Sequence, residues 1–457
     1  MEQQGDRTQL LPGDMLAAVL RRLAPRSLAT SRCVCKAWRD TIDARRMLRT
    51  DLLPLSLAGF FINFHNLRYS EFFARPSSPS ASGPSSGRNL VYRAIDGQCN
   101  GLLLYDYHNM VVNPATGWWS APLPPPPPKR PEMECLSDDA YLAFDPMVSP
   151  HYQVLRVPRI PYIELDVDSD DEYAMDHGVD PAMLGLEWPP SSLVLQVFSS
   201  STKRWDERTF LREGEAAGTV ADWAADYIWM WNKSNSVYWH GALHVYCQNG
   251  FVMRLSLSST NTYQVIKPPE FEPESYLDLH VMLGKSKKGV YYASIGASRR
   301  LRVWVLDESC AHSKWVLEHD THLKLPPTRL NNGQQVYGPW ILQDINYSEE
   351  KYLQHDDDND TTLVENNFEW NSDDDEEEDV LEDTKDMVDR FGGEISILGF
   401  HPFKEIVFMS RGLDRGLAYH LNTSKIQDIG YLFPKHYDAE KHRFVRKSFP
   451  YTPCWME

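Results

Sequence analysis

The sequence lacks the features that would place the protein in a membrane or a secretory compartment. No run of ~18 uninterrupted apolar residues occurs, so no transmembrane helix is expected. The first residues, MEQQGDRTQ, lack a basic region followed by an apolar run, so no signal peptide is expected. Cysteine is scarce and odd in number, which favours reduced thiols in the cytosol or nucleus over a disulfide framework. The seven cysteines are Cys33, Cys35, Cys99, Cys135, Cys247, Cys310 and Cys454.

An excess of basic residues is also absent. The formal net charge is -18 at pH 7, and residues 349–390 contribute -16 of it, with 19 Asp and Glu against 3 Lys and Arg. Because no basic stripe stands elsewhere, nucleic-acid binding is disfavoured. We expect 349–390 to be a solvated, disordered acidic insertion, since like charges repel the segment into extension. A docking segment for a basic partner is the alternative.

Each catalytic or metal-binding motif in the sequence is either incomplete or in the wrong structural context. Gly83-Pro-Ser-Ser-Gly87 matches G-x-S-x-G, yet it lies in a Pro/Ser-rich stretch and not between a strand and a helix. Gly284-Lys285-Ser286 ends like a phosphate loop but has Leu279 where the first glycine belongs. His240 and His244 lack the glutamate of H-E-x-x-H and stand among strand-forming residues, which favours a β-hairpin. We predict no catalytic residue, no metal site and no cofactor.

Two short helices are predicted within the first fifty residues. Pro12 suits a first helical turn because it lacks a donor, and Asp14 complements the helix dipole. A hairpin of about 35 residues is too short to bury its apolar stripes alone, so the rest of the chain or another protein must cover them. The first helix-spaced apolar series is Leu16, Val19, Leu20 and Leu23, and the second is Leu28, Val34, Trp38 and Ile42.

Residues Leu10 to Asp43 resemble the F-box of plant-type F-box proteins. The resemblance rests on Leu-Pro-x-Asp-x-Leu-x-x-Val-Leu-x-x-Leu, then Ser-Leu, then Arg-Cys-Val-Cys-Lys-Ala-Trp-Arg. It implies that the hairpin binds a Skp-family adaptor and, through it, the cullin of a Skp–cullin–F-box ubiquitin ligase. The adaptor-facing positions that the resemblance implies are Leu11, Pro12, Leu16, Val19, Leu20, Leu23, Leu28, Val34 and Trp38. Some of these positions form the hairpin's own core instead, and the sequence does not separate the two groups. A hairpin that simply packs on its own domain is the alternative.

Beyond a Pro/Ser/Gly-rich stretch at 75–88, the helical period gives way to short apolar runs separated by polar turns. An apolar strand, a polar turn and a second strand that usually opens with an aromatic residue recur five times. Trp205, Tyr263 and Trp315 open three of these second strands and lie 58 and 52 residues apart. A repeat of this size predicts a β-propeller, with a β-sandwich as the alternative. The GFFINF segment, within residues 52–73, is expected to supply a strand that closes the ring with the C-terminus.

Four phrases in this region resemble the kelch-like, F-box-associated propeller of plant F-box proteins. The fold class expected is α+β multidomain, with a small N-terminal all-α F-box hairpin followed by a large all-β propeller of about six blades; seven blades is the alternative. The predicted domains are the F-box helical domain at 1–50, a connecting segment with the Pro/Ser linker at 51–98, and the propeller at 99–457 with the acidic insertion at 349–390. The four phrases are Asn113-Pro-Ala-Thr-Gly-Trp118, Phe144-Asp-Pro146, Val237-Tyr-Trp-His-Gly-Ala-Leu243 and Gly399-Phe-His-Pro402.

These features predict a non-catalytic substrate-recognition subunit of a ubiquitin ligase, whose propeller binds an unknown target protein. One alternative is a scaffold that keeps the F-box but has no degraded target. Another is a propeller enzyme, which would need carboxylates or metal ligands clustered on its central channel. The proline run 124–128 is expected to adopt polyproline II, either as a spacer between strands or as a ligand for an aromatic groove.

Overall fold

The computed structural model describes two regions of different secondary structure. Its described residues are 13–23, 28, 31, 34–45, 47, 56–75, 94–105, 109–160, 181–224, 235–247, 250–258, 260–270, 279–309, 313–325, 338–347, 395–435, 437 and 444–454. Leu11, Pro12, Ser85, the proline/serine stretch from 76 and the acidic insertion 349–390 lie outside them. The predicted order of few helices followed by a mostly β region is confirmed. The helices are α1 (Gly13–Leu20), α2 (Lys36–Ala44) and α3 (Val220–Ala224), with 3-10 turns at Pro131–Met133 and Pro181–Met183.

The β region begins at residue 59. Its first strands are β1 (Gly59–Phe64), β2 (Glu71–Ala74), β3 (Gly97–Cys99), β4 (Leu102–Tyr105), β5 (Met110–Asn113), β6 (Trp118–Trp119), β7 (Ser137–Ala143), β8 (Gln153–Arg159), β9 (Glu187–Trp188), β10 (Ser192–Ser199), β11 (Arg204–Glu213), β12 (Gly218–Thr219) and β13 (Ser236–Trp239). The others are β14 (Ala242–Tyr246), β15 (Val252–Ser256), β16 (Thr262–Ile266), β17 (His280–Ser286), β18 (Gly289–Ile295), β19 (Arg300–Asp307), β20 (Lys314–His322), β21 (Ile341–Leu342), β22 (Ile395–Phe400), β23 (Ile406–Arg411), β24 (Arg415–His420), β25 (Lys425–Tyr431) and β26 (Val445–Tyr451).

Within the described ranges, the strands form six groups of four, which we call units 1 to 6. Each unit is antiparallel, because every strand in it pairs antiparallel with its neighbours in the unit. Unit 2 (β7-β8-β10-β11) and unit 3 (β13-β14-β15-β16) are joined into one eight-stranded sheet by parallel pairing of β11 with β16. The short strands β9 and β12 pair with each other outside the six units. In order from the first strand outward, the units are β3-β4-β5-β6, β7-β8-β10-β11, β13-β14-β15-β16, β17-β18-β19-β20, β22-β23-β24-β25 and β26-β1-β2-β21.

Unit 6 combines the two ends of the β region. β1 pairs antiparallel with β26 along its length, with Gly59 opposite Tyr451 and Phe61 opposite Phe449. The Phe61 ring packs against Phe72 at 4.6 Å and Tyr451 at 5.2 Å between centroids. The prediction that GFFINF pairs with the C-terminus is therefore confirmed. The segment 51–98, predicted as a connection, contributes β1 and β2 to this sheet because both strands are apolar enough to be buried on both faces.

Consecutive units contact one another in a closed circuit. β3 contacts β7, β13 contacts β17, β17 contacts β22, β22 contacts β26, and β26 contacts β3, while β11 and β16 link units 2 and 3. Each junction buries its own hydrophobic cluster, which is where burial contributes most of the stabilisation. Pairs that represent the six clusters are Leu104 with Leu142, Leu195 with Leu243, Val252 with Tyr292, Val303 with Met409, Phe408 with Phe60, and Phe61 with Leu103.

A polar contact joins units 3 and 4 beside their apolar cluster. Arg254 Nε donates to Glu308 Oε1 at 2.7 Å, and buried His244 places Nε2 at 3.6 Å from the same oxygen. Interactions with His244 and then Arg254 outweigh partial burial and lower the pKa of Glu308 from its ordinary 4.5 to about 2. Folding therefore favours the ionised carboxylate.

This contact predicts a pH-dependent contribution to stability. Because the folded-state pKa is the lower one, the contribution is present above about pH 4.5 and is lost as the pH falls towards about 2. We expect Glu308→Gln to lower Tm near neutral pH, and the difference in Tm from wild type to shrink as the pH falls from about 5 towards about 2. Thermal unfolding at a series of pH values measures it. Glu207→Gln, which removes an exposed ion pair with Arg130 at 2.7 Å, is the matched control and should change Tm less. A pH-independent effect of Glu308→Gln would contradict the linkage.

Candidate adaptor-binding site

The helical hairpin has a small core of its own. Leu16 and Leu20 of α1 are 5% and 0% exposed, and they pack with Leu28 and with Ile42 of α2. Leu23, Trp38 and Met47 are partly buried against this cluster. The hairpin core or its border therefore contains five of the predicted adaptor-facing positions, and Trp38 is only partly buried there. The five are Leu16, Leu20, Leu23, Leu28 and Trp38.

An ion pair fixes the two helices at their ends. Asp14, in the first turn of α1, accepts a hydrogen bond from the Arg45 guanidinium just after α2. The hydrogen bond and charge of Arg45 lower the pKa of Asp14. The carboxylate also lies at the positive end of the α1 dipole, which favours its ionised form. Asp14 thus contributes to hairpin geometry as well as to the start of the helix.

A neighbouring face of α1, beside the buried stripe of Leu16 and Leu20, is apolar and exposed. Val19 is 53% exposed and Met15 is 58% exposed, and their i, i+4 spacing makes them neighbours on one face. Val34, in the turn before α2, is 57% exposed. Because the hairpin core is filled by other residues, these side chains remain available to a partner. Of the predicted positions, Val19 and Val34 are the ones that the structure leaves exposed, while Leu11 and Pro12 lie outside the described residues.

Met15 was not among the predicted positions. Its signal was its place one turn before Val19, outside the series that begins at Leu16. The sequence placed Leu16, Val19 and Leu20 on one broad face, and the structure divides that face between the core and solvent. Only the position of α2 makes this division.

The motif that ends like a phosphate loop lies in a strand of the structure. Gly284-Lys285-Ser286 ends strand β17 instead of forming a loop before a helix. A Cβ at Gly284 would overlap the Phe400 ring of unit 5, so packing explains the glycine. Ser286 Oγ lies 2.8 Å from the carbonyl oxygen of His401 and 2.6 Å from that of Lys404, which ties units 4 and 5 together.

The predicted hairpin at His240 is confirmed. His240 and Gly241 both have positive φ, 45° and 78°, between β13 and β14, as a tight turn between paired strands requires. The proline run 124–128 is hydrogen-bonded to strands of unit 2. Trp205 Nε1 of β11 donates to the Pro124 carbonyl at 2.7 Å, and Gln196 Nε2 of β10 donates to the Pro127 carbonyl at 2.8 Å. This geometry supports the spacer interpretation of residues 124–128.

The part of the chain that the structure describes has no metal cluster, no membrane-spanning helix and no disulfide. No group of three or more His, Cys, Asp or Glu is placed there to hold a metal ion. No helix there has the length and apolar character needed to cross a membrane. The described cysteines, Cys35, Cys99, Cys135, Cys247 and Cys454, are free thiols.

Two curated plant proteins each match about a quarter of the chain. An F-box protein of Arabidopsis thaliana is 30% identical over 124 residues, which cover 24% of this chain and 32% of that protein. A probable F-box protein of the same plant is 31% identical over 114 residues, which cover 24% of this chain and 35% of that protein. The chain therefore spans about a third of the length of these curated relatives. A computationally designed protein solved by crystallography is 13% identical over 77% of this chain and 87% of that one, but a TM-score of 0.23 supports no conclusion about fold.

The family model described as the F-box domain matches residues 9–50. This range contains α1, α2, the buried hairpin cluster and the exposed Met15, Val19 and Val34. It agrees with the resemblance found in the motif between Leu10 and Asp43. The chain therefore carries an F-box domain at residues 9–50.

Proposed function

We propose that this protein is the substrate-recognition subunit of a Skp–cullin–F-box ubiquitin ligase. The observation that carries the proposal is the exposed apolar surface of Met15, Val19 and Val34 on an F-box hairpin whose core is already filled. Exposed large apolar side chains on so small a domain favour a protein interface. A helical hairpin that presents such side chains suits docking into a groove of a Skp-family adaptor, which would connect it to a cullin.

We further propose that units 1 to 6 are the blades of a six-bladed β-propeller. Three observations support this arrangement: the closed circuit of contacts, a separate hydrophobic cluster at each junction, and the pairing of β1 with β26 in one sheet. Joining the two ends of a β region in one blade protects the edges that an open array would expose. The target protein would bind the loops of this propeller, since loops on a rigid scaffold commonly form recognition surfaces.

In this role the chain itself makes and breaks no bonds. It raises the effective concentration of a target near the ubiquitin-charged enzyme, because both are held in one assembly. The location that we propose is the cytosol or nucleus, where the described cysteines would stay reduced thiols. The enzyme alternative requires clustered catalytic or metal-ligating side chains, and the described residues supply no observation that favours it.

Co-purification with a Skp-family adaptor tests the proposal. The full chain and a variant lacking residues 1–50 are each mixed with the adaptor and separated by size-exclusion chromatography. We expect a one-to-one complex with the full chain and no complex with the shortened one. If neither variant binds while both remain folded by circular dichroism, the hairpin has a structural role and the ligase proposal is wrong.

A further inference from the structure

The first strands of the six units surround a small chamber of about 70 Å³. Every unit contributes to the lining of this chamber. The lining residues lie in or beside β3, β7, β13, β17, β22 and β26. This volume exceeds the ~15 Å³ that one water needs, so the chamber can hold a ligand of a few non-hydrogen atoms. A ligand of this size would contact several units at once.

Lys285 brings a positive charge to this chamber. Its ammonium donates to Asn100 Oδ1, and Asn100 Nδ2 donates onward to the Phe144 carbonyl at 2.6 Å. An ammonium carries three donors, so two N–H groups have no acceptor among the described residues. Burial lowers the pKa of Lys285, while nearby Cys99 and Asp145 act in the opposite direction. The Asp145 carboxylate is itself turned to its own loop, where Oδ1 accepts from the Met147 N–H at 2.9 Å.

Asn235 supplies an acceptor without a partner. Its Nδ2 donates to the Leu283 carbonyl and lies near Met282 Sδ, both at 2.8 Å, which fixes the orientation of the amide. Its Oδ1 is buried and has no hydrogen-bond partner. A buried acceptor left in this state is unfavourable, so it marks a position where a donor is expected. Asn235 and Lys285 both line the chamber.

We propose that this chamber binds a small carboxylate that also carries a hydroxyl group, of about the size of glycolate. The carboxylate accepts hydrogen bonds from the two remaining N–H groups of Lys285. A charge-assisted hydrogen bond of this kind is stronger than a neutral one. The hydroxyl donates to Asn235 Oδ1. This inference is independent of the adaptor-binding proposal, because no residue of the hairpin takes part.

Titration of the full chain with sodium glycolate, followed by ligand-observed NMR at constant ionic strength, tests the site. We expect saturable binding with a Kd of roughly 0.1–10 mM, since a ligand of so few atoms has limited affinity. Lys285→Met should weaken binding at least ~10-fold because it removes the cation and keeps the apolar stem. Lys287→Met is the matched control, since Lys287 is exposed in the next turn and should bind glycolate like the wild type.

A second measurement needs no variant. Ethylene glycol, which lacks the charge, and acetate, which lacks the hydroxyl, should each bind the wild-type chain more weakly than glycolate. Absence of saturable glycolate binding, equal binding of ethylene glycol, or equal binding by the folded Lys285→Met protein would each overturn the proposal. The chamber would then be a water-filled centre of the fold.

Discussion

Removal of residues 445–457 is expected to unfold the whole β region instead of trimming one strand. The deletion removes β26, which is the first strand of unit 6, the partner of β1 along its length and a neighbour of β22 and β3. It also removes Phe449 and Tyr451, which are 8% and 3% exposed in the cluster between units 6 and 1. Loss of one buried aromatic side chain costs about 3–5 kcal/mol. Loss of two is therefore comparable to the whole free energy of unfolding of a typical domain, which is about 5–15 kcal/mol.

Circular dichroism and thermal unfolding measure this effect. The truncated chain should lose the cooperative transition that the full chain shows. Deletion of residues 1–50 is the control, because the closed circuit of units contains none of these residues, and it should leave the β-region transition in place. A truncated chain that still unfolds cooperatively at the wild-type temperature would show that β26 does not hold the circuit closed.

Val19→Glu combined with Val34→Glu is expected to weaken adaptor binding at least ~100-fold, on the order of 3 kcal/mol. Both side chains are exposed and outside the hairpin core, so the substitutions should leave the helices folded. In the complex they would place two carboxylates where apolar surface is otherwise buried, which adds a desolvation cost to the lost burial. Isothermal titration calorimetry with the purified adaptor measures the change.

A matched pair of substitutions separates this effect from a general change of charge. Leu211 and Val316 of the β region are 58% and 40% exposed, so Leu211→Glu with Val316→Glu makes the same chemical change elsewhere. This control should bind the adaptor like the wild type. By contrast, Leu20→Asp should abolish binding by disrupting the hairpin, since Leu20 is fully buried in its cluster. If the double Val variant keeps full affinity, these valines do not face the adaptor.

Local sequence patterns predicted much of this structure. The GFFINF run is a continuous apolar segment of strand length, and its pairing with the C-terminus follows from the need to bury both of its faces. The strand-forming residues around His240 and His244 predicted a β-hairpin, and the structure has its turn at His240 and Gly241. The strongest prediction was the F-box, because several fixed spacings occur together within about 35 residues, the size of one helical hairpin.

The features that sequence reasoning missed depend on distant parts of the chain. Lys285 and Asn100 are 185 residues apart in sequence, and no local pattern indicates that they meet in the chamber. The helical period similarly could not divide α1 between core and surface, since a stripe wide enough to face a core includes both Leu20 and Val19. The place of α2 decides which of them is buried.

The most direct test of the central claim measures both the capture of a target by the β region and the ubiquitination of that target through the F-box. Cells that produce the wild-type chain or the Val19→Glu/Val34→Glu variant are compared for proteins that the chain captures, with proteasome activity blocked. If the protein connects a target to the ubiquitin ligase, both chains should capture the same target. Only the wild-type chain should lead to ubiquitination of that target, and to a fall in its abundance when the proteasome is active. A captured partner whose ubiquitination and abundance are the same with both chains would contradict the account and favour a scaffold without a degraded target.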